Sequence, residues 1–411
     1  MAIAAGSTPS HWLKTPAAVV AALVLAAALA FAAALIWPSQ NVAIPGADLD
    51  PATVVAQVKS GTKATAALRT ALAAAHADPA NARLAKQAAA ALIAEGRANG
   101  DARLVGASLG LLQPFLALED AEALTMAATA RQYQHDFAGA LALLDRALAL
   151  DRRNAAALLN RATIQTVLGA FDRALPDCAA LQRLGQDQVA FLCQSTALML
   201  TDRATTIKVR LEAILATPGL LDPALRGWAV GLTGEIAALQ GDRATARARF
   251  AEVLAADPAA IRERLLLADL LLADGEGAGV LALLAGQPET DSLLIRRTLA
   301  SGLAGDAAQA AADSAELAKR FAQNIDLGLT AHAREEARFY LRIARDPALA
   351  LERAEVNWAL QHEAEDAALL VDAAMAAGQP ARAVPVLVWM QAQSVAAMVV
   401  TIPDAVRKAA P

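Results

Sequence analysis

The stretch WAVGLTGEIAALQGDRATARARFAEVLAADP, running from Trp228 to Pro258, decides the fold. Its apolar and small residues recur at helical spacing on either side of Gly241-Asp242-Arg243, and Asp257-Pro258 stops the second run. Gly and Asp favour turns, and a proline cannot continue a helix, so the stretch reads as helix, turn, helix, stop. Gly234 stands where the two helices must approach closely, and Ala246-x3-Phe250 follows the turn. Outward from this copy the same unit returns at a fixed period. Phe137 and Phe171, Ala140 and Ala174, and Ala246 and Val280 are each 34 residues apart. Asp136 to Asp151 is the second helix of one copy and Asn154 to Leu181 is the next, with Gly169-Ala170-Phe171 as its turn. Arg262 to Leu284 is a further copy, and Val189 to Asp222 is a degenerate one with a longer connection around Thr217-Pro218-Gly219. Pro347 and Pro380, 33 apart, mark terminal helix pairs, while Asp78-Pro79 and Ala82 to Glu95 mark an early one preceded by a helix from about Pro51.

The period, the small residues and the Asp-Pro stop resemble the tetratricopeptide repeat (TPR), whose pattern is W-x2-L-G-x2-Y, then A-x3-F, then P. Val230, Thr233 and Ala237 replace the large residues of that pattern, so the likeness rests on the small residues and the turn. The resemblance implies an all-α fold, a TPR-type α-solenoid wound as a right-handed superhelix of helix pairs whose first helices line a concave partner-binding face. Composition agrees. Roughly a quarter of the 411 residues are alanine and only 4% are aromatic, which suits helices packed along small-residue seams and excludes a mainly β fold.

A second resemblance covers most of the chain beyond the N-terminus. Glu95-Gly96-Arg97, Gly100-Asp101-Ala102-Arg103, Arg334 to Tyr340, Asp346 to Leu351, Asn357-Trp358 and Glu365-Asp366-Ala367 are similar to signatures of a group of proteobacterial membrane-anchored TPR proteins of unassigned function. That group implies an architecture and no catalytic or binding residues.

Ala17 to Trp37 is a run of 21 residues with no charged or polar side chain, about 31 Å as a helix and enough to span a bilayer core. Pro16 and Pro38 bound it, Trp12 and Trp37 flank it, Lys14 precedes it, and Asp48 and Asp50 follow before the first cation, Lys59. The positive-inside rule predicts a short cytoplasmic tail over 1–15, a signal anchor over 16–38 and everything later outside the cytoplasm. The resemblance to the proteobacterial group implies that the membrane is a bacterial inner membrane and the compartment beyond it the periplasm. A cleaved secretory signal, with Ala32 and Ala34 at its site, is the competing reading; the run is longer than a usual signal core. With no cysteine near the N-terminus, a lipoprotein is excluded. The expected order continues with a tether over 39–50, N-terminal helical pairs over 51–118, the TPR array over 119–286, C-terminal TPR-like helices over 287–395 and a tail over 396–411. Ala383 to Ile402, interrupted by Pro385, Gln391, Gln393 and Ser394, reads as amphipathic packing and not as a second span.

Thirty-six Lys and Arg against 41 Asp and Glu, interspersed, give a formal charge of -5 and no basic stripe, so nucleic acid is not expected as a partner. No enzyme is expected. Gly106-Ala107-Ser108-Leu109-Gly110 matches the G-x-S-x-G elbow but lies inside a continuous helical pattern, so its glycines read as packing residues. Gly275 to Gly279 mimics a dinucleotide loop without the preceding strand and reads as an inter-helix turn. The five histidines lack metal-ligand spacing, so no metal and no cofactor are expected. Glu335, Glu336, Glu363, Glu365 and Asp366, with Arg334, Arg338 and Arg353 nearby, read as solvated helix faces carrying i,i+4 pairs.

First-helix placement puts Glu122, Thr129, Tyr133, Thr163, Thr166, Trp228, Glu235, Arg262 and Asp269 near the concave side as a candidate partner groove. Cys178 and Cys193, the only cysteines, fall on consecutive helices and form either a structural disulfide or two buried thiols. The function expected is an inner-membrane-anchored periplasmic scaffold or adaptor that holds a protein or peptide partner. The alternative is an assembly chaperone for exported proteins, like the TPR factors of cytochrome c maturation or translocon-associated factors.

Overall fold

The structure, a computed structural model, describes residues 65–410. The tail, anchor and tether expected over 1–50, and the start of the helix expected from Pro51, lie outside the described residues. Among the described residues there are helices and one isolated β-bridge, between Thr201 and Val395, and no helix is long and apolar enough to cross a membrane.

A first helix, α1 (Ala66–Ala77), precedes nine helix pairs. These are α2 (Ala82–Asn99) with α3 (Ala102–Ala117), α4 (Ala121–Tyr133) with α5 (Phe137–Leu150), and α6 (Ala155–Val167) with α7 (Phe171–Arg183). Next come α8 (Asp187–Leu198) with α9 (Ala204–Ala216), α10 (Pro223–Leu239) with α11 (Arg243–Ala256), and α12 (Ile261–Ala273) with α13 (Gly277–Leu284). The last are α14 (Asp291–Leu303) with α15 (Ala307–Asp326), α16 (Ala333–Phe339, continued by a π-helical turn, Tyr340–Ala344) with α17 (Pro347–Trp358), and α18 (Ala364–Ala376) with α19 (Val384–Ala392). Each helix packs on the next, and first helices of most neighbouring pairs also touch, so the array is continuous.

The opening stretch forms the fifth pair. Gly234 lies against the Phe250 ring, where an added Cβ would come within 2.7 Å of it, and Ala246 and Phe250 are fully buried. The turn works by two local devices. Gly241 takes a left-handed backbone, φ 77°, that closes α10, and Asp242 Oδ1 accepts from the Thr245 N–H at 3.1 Å to cap α11. The same left-handed residue followed by a capping Asp recurs at Gly100-Asp101, His135-Asp136, Gly305-Asp306 and Arg345-Asp346. The α8–α9 pair lacks it, in keeping with its degenerate sequence. Inside the pairs, Arg161 donates twice to the buried Asp177, and Arg297 twice to the buried Asp313, at the same helical positions of the third and seventh pairs.

Side-chain contacts show how tightly the array winds, because pairs six apart meet. A Cβ on Gly100 would lie 2.4 Å from Thr290, at the start of the seventh pair. His135 sits within electrostatic reach of His332, Arg334 and Glu335 in the eighth. At the third pair, the His362 N–H donates to the Val167 carbonyl at 2.8 Å, and Trp389 Nε1 donates to the Gly169 carbonyl at 3.2 Å. At the fourth, the Ala396 N–H donates to the Leu200 carbonyl at 2.8 Å. Residues 396–409, expected as a tail, are therefore part of the fold. Val399, Val400, Ile402 and Val406 are buried, and α20 (Asp404–Ala409) closes the segment. The apolar run 383–402 is α19 followed by a turn-containing strap that meets the third and fourth pairs.

Cys178 on α7 and Cys193 on α8 face each other with Cα atoms 5.6 Å apart and the sulfurs bonded, within the usual range for a disulfide. The bond closes a loop of 15 residues, and reduction or Cys193→Ser is expected to cost about 3 kcal/mol in urea unfolding. Non-reducing mass spectrometry of the purified protein checks the bond; two free thiols would remove it.

Candidate partner groove

Small first-helix residues let neighbouring pairs approach, and their polar residues then meet across the gap. The result is a ladder along the first-helix face. Asn160 donates to Thr129 Oγ1 at 2.8 Å, Trp228 Nε1 donates to Thr196 Oγ1 at 3.1 Å, and Arg262 donates twice to Glu235 at 2.7 and 2.9 Å. Beyond them Arg296 pairs with Asp269, Ser292 donates to Glu335 at 2.8 Å, and Arg334 donates to Asp366 and Glu363. The contacts are neutral from the second to the fifth pair and charged in the later ones. Across the concavity Arg262 also reaches Glu363, three pairs away, at 3.5 Å.

This overturns the reading of the acidic clusters as solvated i,i+4 faces. Glu336 and Asp366 have no solvent exposure, and their partners lie on other helices: Glu336 accepts from Arg353 at 2.7 Å, and Asp366 accepts from Arg334 and from Asn357, both at 2.7 Å. The array winds tightly enough to fold these faces inward. Electrostatics follow the packing. Burial works to raise the Glu363 carboxyl, but the guanidinium groups of Arg334 and Arg262 outweigh it and hold it at about 2. Burial, with Arg296 alongside, pushes the Arg338 guanidinium down to about 10 despite Asp269 nearby.

The predicted groove residues do not form one surface. Glu122 pairs with Lys86 at 2.5 Å, and Tyr133 packs half-buried beside Ile93 and Val105. Thr163 and Thr166 turn their hydroxyls back onto the carbonyls of Leu159 and Ala162. Trp228 lies against the buried cluster of Leu192, Ala229 and Leu232, which makes it a packing residue between pairs. Glu235 pairs with Arg262, which also reaches Glu363. Asp269 lines an open cavity.

That cavity, about 490 Å³, lies on the first-helix face of the sixth to ninth pairs. Leu272, Ala273, Leu299 and Leu369 form its floor, and Asp269, Glu365, Asp372, Arg338, Arg342 and Arg345 its rim. A second hollow of about 420 Å³, floored by Leu341, Pro347 and Met375, shares Arg342, Arg345 and Asp372 with it, so the two form one groove across the Arg342–Asp372 pair. Arg345 stands at its centre in a left-handed backbone, φ 58°, directly after the π-helical turn, with no acidic partner among the described residues. Both features concentrate at functional sites. In sequence, Arg338, Arg342 and Arg345 look like ordinary surface cations. Their only signal was a non-glycine residue at the turn position that glycine fills in most pairs.

The motifs set aside in the sequence have ordinary places. Ser108 is fully buried in α3 and donates to the Val105 carbonyl at 2.6 Å, and Gly275 makes the turn between α12 and α13. Gly106 packs near Gln134, but Gly110 has nothing within 4 Å and is not a packing glycine. Among the described residues no cluster of His, Cys, Asp and Glu could hold a metal ion.

No protein-family model matches the chain, and no curated protein matches it. Solved structures do resemble it. A tetratricopeptide repeat protein from Parabacteroides merdae is 18% identical, with a TM-score of 0.37 over 62% of this chain and 93% of that one. A human IFIT1 dimer with m7Gppp-AAAA is 12% identical, with a TM-score of 0.45 over 79% and 85%. The Cut9–Hcn1 hetero-tetramer of the APC/C is 13% identical, with a TM-score of 0.39 over 79% and 68%.

Proposed function

We propose that this chain is a scaffold that docks a protein or peptide partner in the groove of the sixth to ninth pairs and holds it on the periplasmic side of a bacterial inner membrane. The groove carries the reading: an apolar floor with a mixed-charge rim whose central cation, Arg345, is unmatched. Apolar pockets with a few fixed polar groups are the usual form of a specific docking site. The tether is supported by the apolar run Ala17 to Trp37 and its flanking charges. A fusion reporter at the C-terminus tests the topology; a reporter active only in the cytoplasm would refute it. An assembly chaperone, the second expectation, predicts several transient clients in place of one stoichiometric partner.

Arg342→Glu/Arg345→Glu alters two exposed side chains, so stability is expected to hold within about 0.5 kcal/mol. Capture of the partner from detergent-solubilised membranes is expected to fall at least about tenfold. Equal capture by both proteins would place docking elsewhere.

A further inference from the structure

We propose a second docking cleft on the opposite, second-helix side of the array, between α5 and α7, that takes an acidic, aliphatic segment of a second protein. It is a hollow of about 520 Å³ with Leu148, Leu158, Pro176 and Ala180 at its base. Three guanidinium groups surround it, from Arg152, Arg161 and Arg183.

The three differ in what already holds them. Arg161 is anchored: its Nε and Nη2 donate to the buried Asp177 at 2.8 and 2.7 Å, and only Nη1 turns outward, to the mostly exposed Asp145 at 2.7 Å. Arg152 and Arg183 are exposed and have no acidic partner among the described residues. The cleft thus presents two unmatched cations and a third with a replaceable carboxylate. Its walls are stiff, because Asp177 is fixed by Arg161 and the next residue, Cys178, is joined to α8. Fixed guanidinium forks beside an apolar base match carboxylates next to aliphatic side chains.

A nucleic acid fits this surface less well. The lining has no aromatic side chain on which a base could stack, and Asp145 and Asp177 repel a phosphate chain. Occupied on both sides, the array would bridge two partners. The cleft shares no residue with the first-helix groove, so its test does not depend on that reading.

The experiment is fluorescence anisotropy on the full chain in detergent, with three labelled probes: a twelve-residue peptide alternating Glu and Leu, its Gln and Leu counterpart, and an oligo(A) RNA of equal length. The Glu/Leu peptide is expected to bind saturably and to weaken with added salt. Arg152→Glu/Arg183→Glu is expected to weaken it about tenfold or more, while Lys319→Glu/Lys408→Glu, the same charge reversal at two exposed lysines outside the cleft, leaves it unchanged. Arg152→Gln/Arg183→Gln, checked for an unaltered melting curve, should give a smaller loss in the same direction. Absence of saturable binding, equal binding of the Gln/Leu peptide, tighter binding of the RNA, or indifference to both cleft variants would each overturn the proposal.

Discussion

Gly169→Asn is expected to destabilise the protein by about 3 kcal/mol or more, whereas Gly241→Asn should cost less than about 1 kcal/mol. Both glycines have positive φ, 67° and 77°, and asparagine is among the residues that tolerate that backbone. Strain is therefore similar and the difference is packing. An added Cβ at Gly241 meets nothing within 4 Å, but at Gly169 it lies 2.4 Å from Trp389 Nε1 and 2.7 Å from His362 Cβ. To admit it, Trp389 must leave the carbonyl of Gly169 and its edge contacts with Phe171 and Trp358. Displacing a buried tryptophan costs on the scale of its truncation, about 3–5 kcal/mol. The loss should be regional, because stability in a repeat array is a sum of neighbour terms. Hydrogen exchange is expected to show residues 358–409 opening while α2 to α5 keep their protection; equal losses in the two variants would mean the contact does not secure the C-terminal pairs.

The same contact carries a pH dependence. Burial pushes His362 below its ordinary 6.5, against a smaller upward pull from the Leu168 carbonyl that its Nδ1 meets at 2.9 Å. A histidine with a depressed folded pKa gives stability that is full above 6.5 and is lost as pH falls through its folded value. His135, lowered by burial as well, acts in the same direction. Protection of the strap should therefore weaken below pH 6.5, and His362→Gln should flatten that slope.

What was legible in the sequence was what each pair specifies locally. Gly241-Asp242, Gly234 and the 34-residue spacing report turns, caps and close approaches among residues near in sequence, and the observed pairs follow them. The winding was not legible. Whether the third pair meets the ninth depends on a small rotation accumulated over six pairs, and no dipeptide encodes it. Glu336, Asp366 and Trp389 are ordinary helical residues until that rotation carries them inward. The contacts of the groove residues were not legible for the same reason: Thr129, Trp228, Glu235 and Arg262 do lie on first helices, and the neighbouring helix comes close enough to engage their polar atoms.

Asp366→Ala is expected to cost about 3–5 kcal/mol, because it strips one side of a buried charge pair and leaves the other uncompensated. Asp366, with no exposure, accepts from Arg334 Nε and Nη2 at 2.7 and 2.8 Å, from Asn357 Nδ2 at 2.7 Å, and from the Glu363 N–H at 2.8 Å in the cap of α18. Removing the carboxylate takes an acceptor from Asn357 and from the Glu363 N–H and leaves Glu363 as the carboxylate that Arg334 hydrogen-bonds. Asp366→Asn keeps the shape and one acceptor and should cost less. Acid separates the two carboxylates that share Arg334. Asp366 is pushed up by burial, with the Glu363 charge adding to it, so its protonation favours the fold as pH falls. Glu363, held at about 2, does the opposite: its contribution is present above 4.5 and is lost as pH drops from 4.5 toward 2. Urea unfolding across that window should show wild type losing more stability than Glu363→Gln, with the two curves parallel above pH 5. If Asp366→Ala costs less than about 1 kcal/mol, the late half of the ladder is not what fixes the last two pairs.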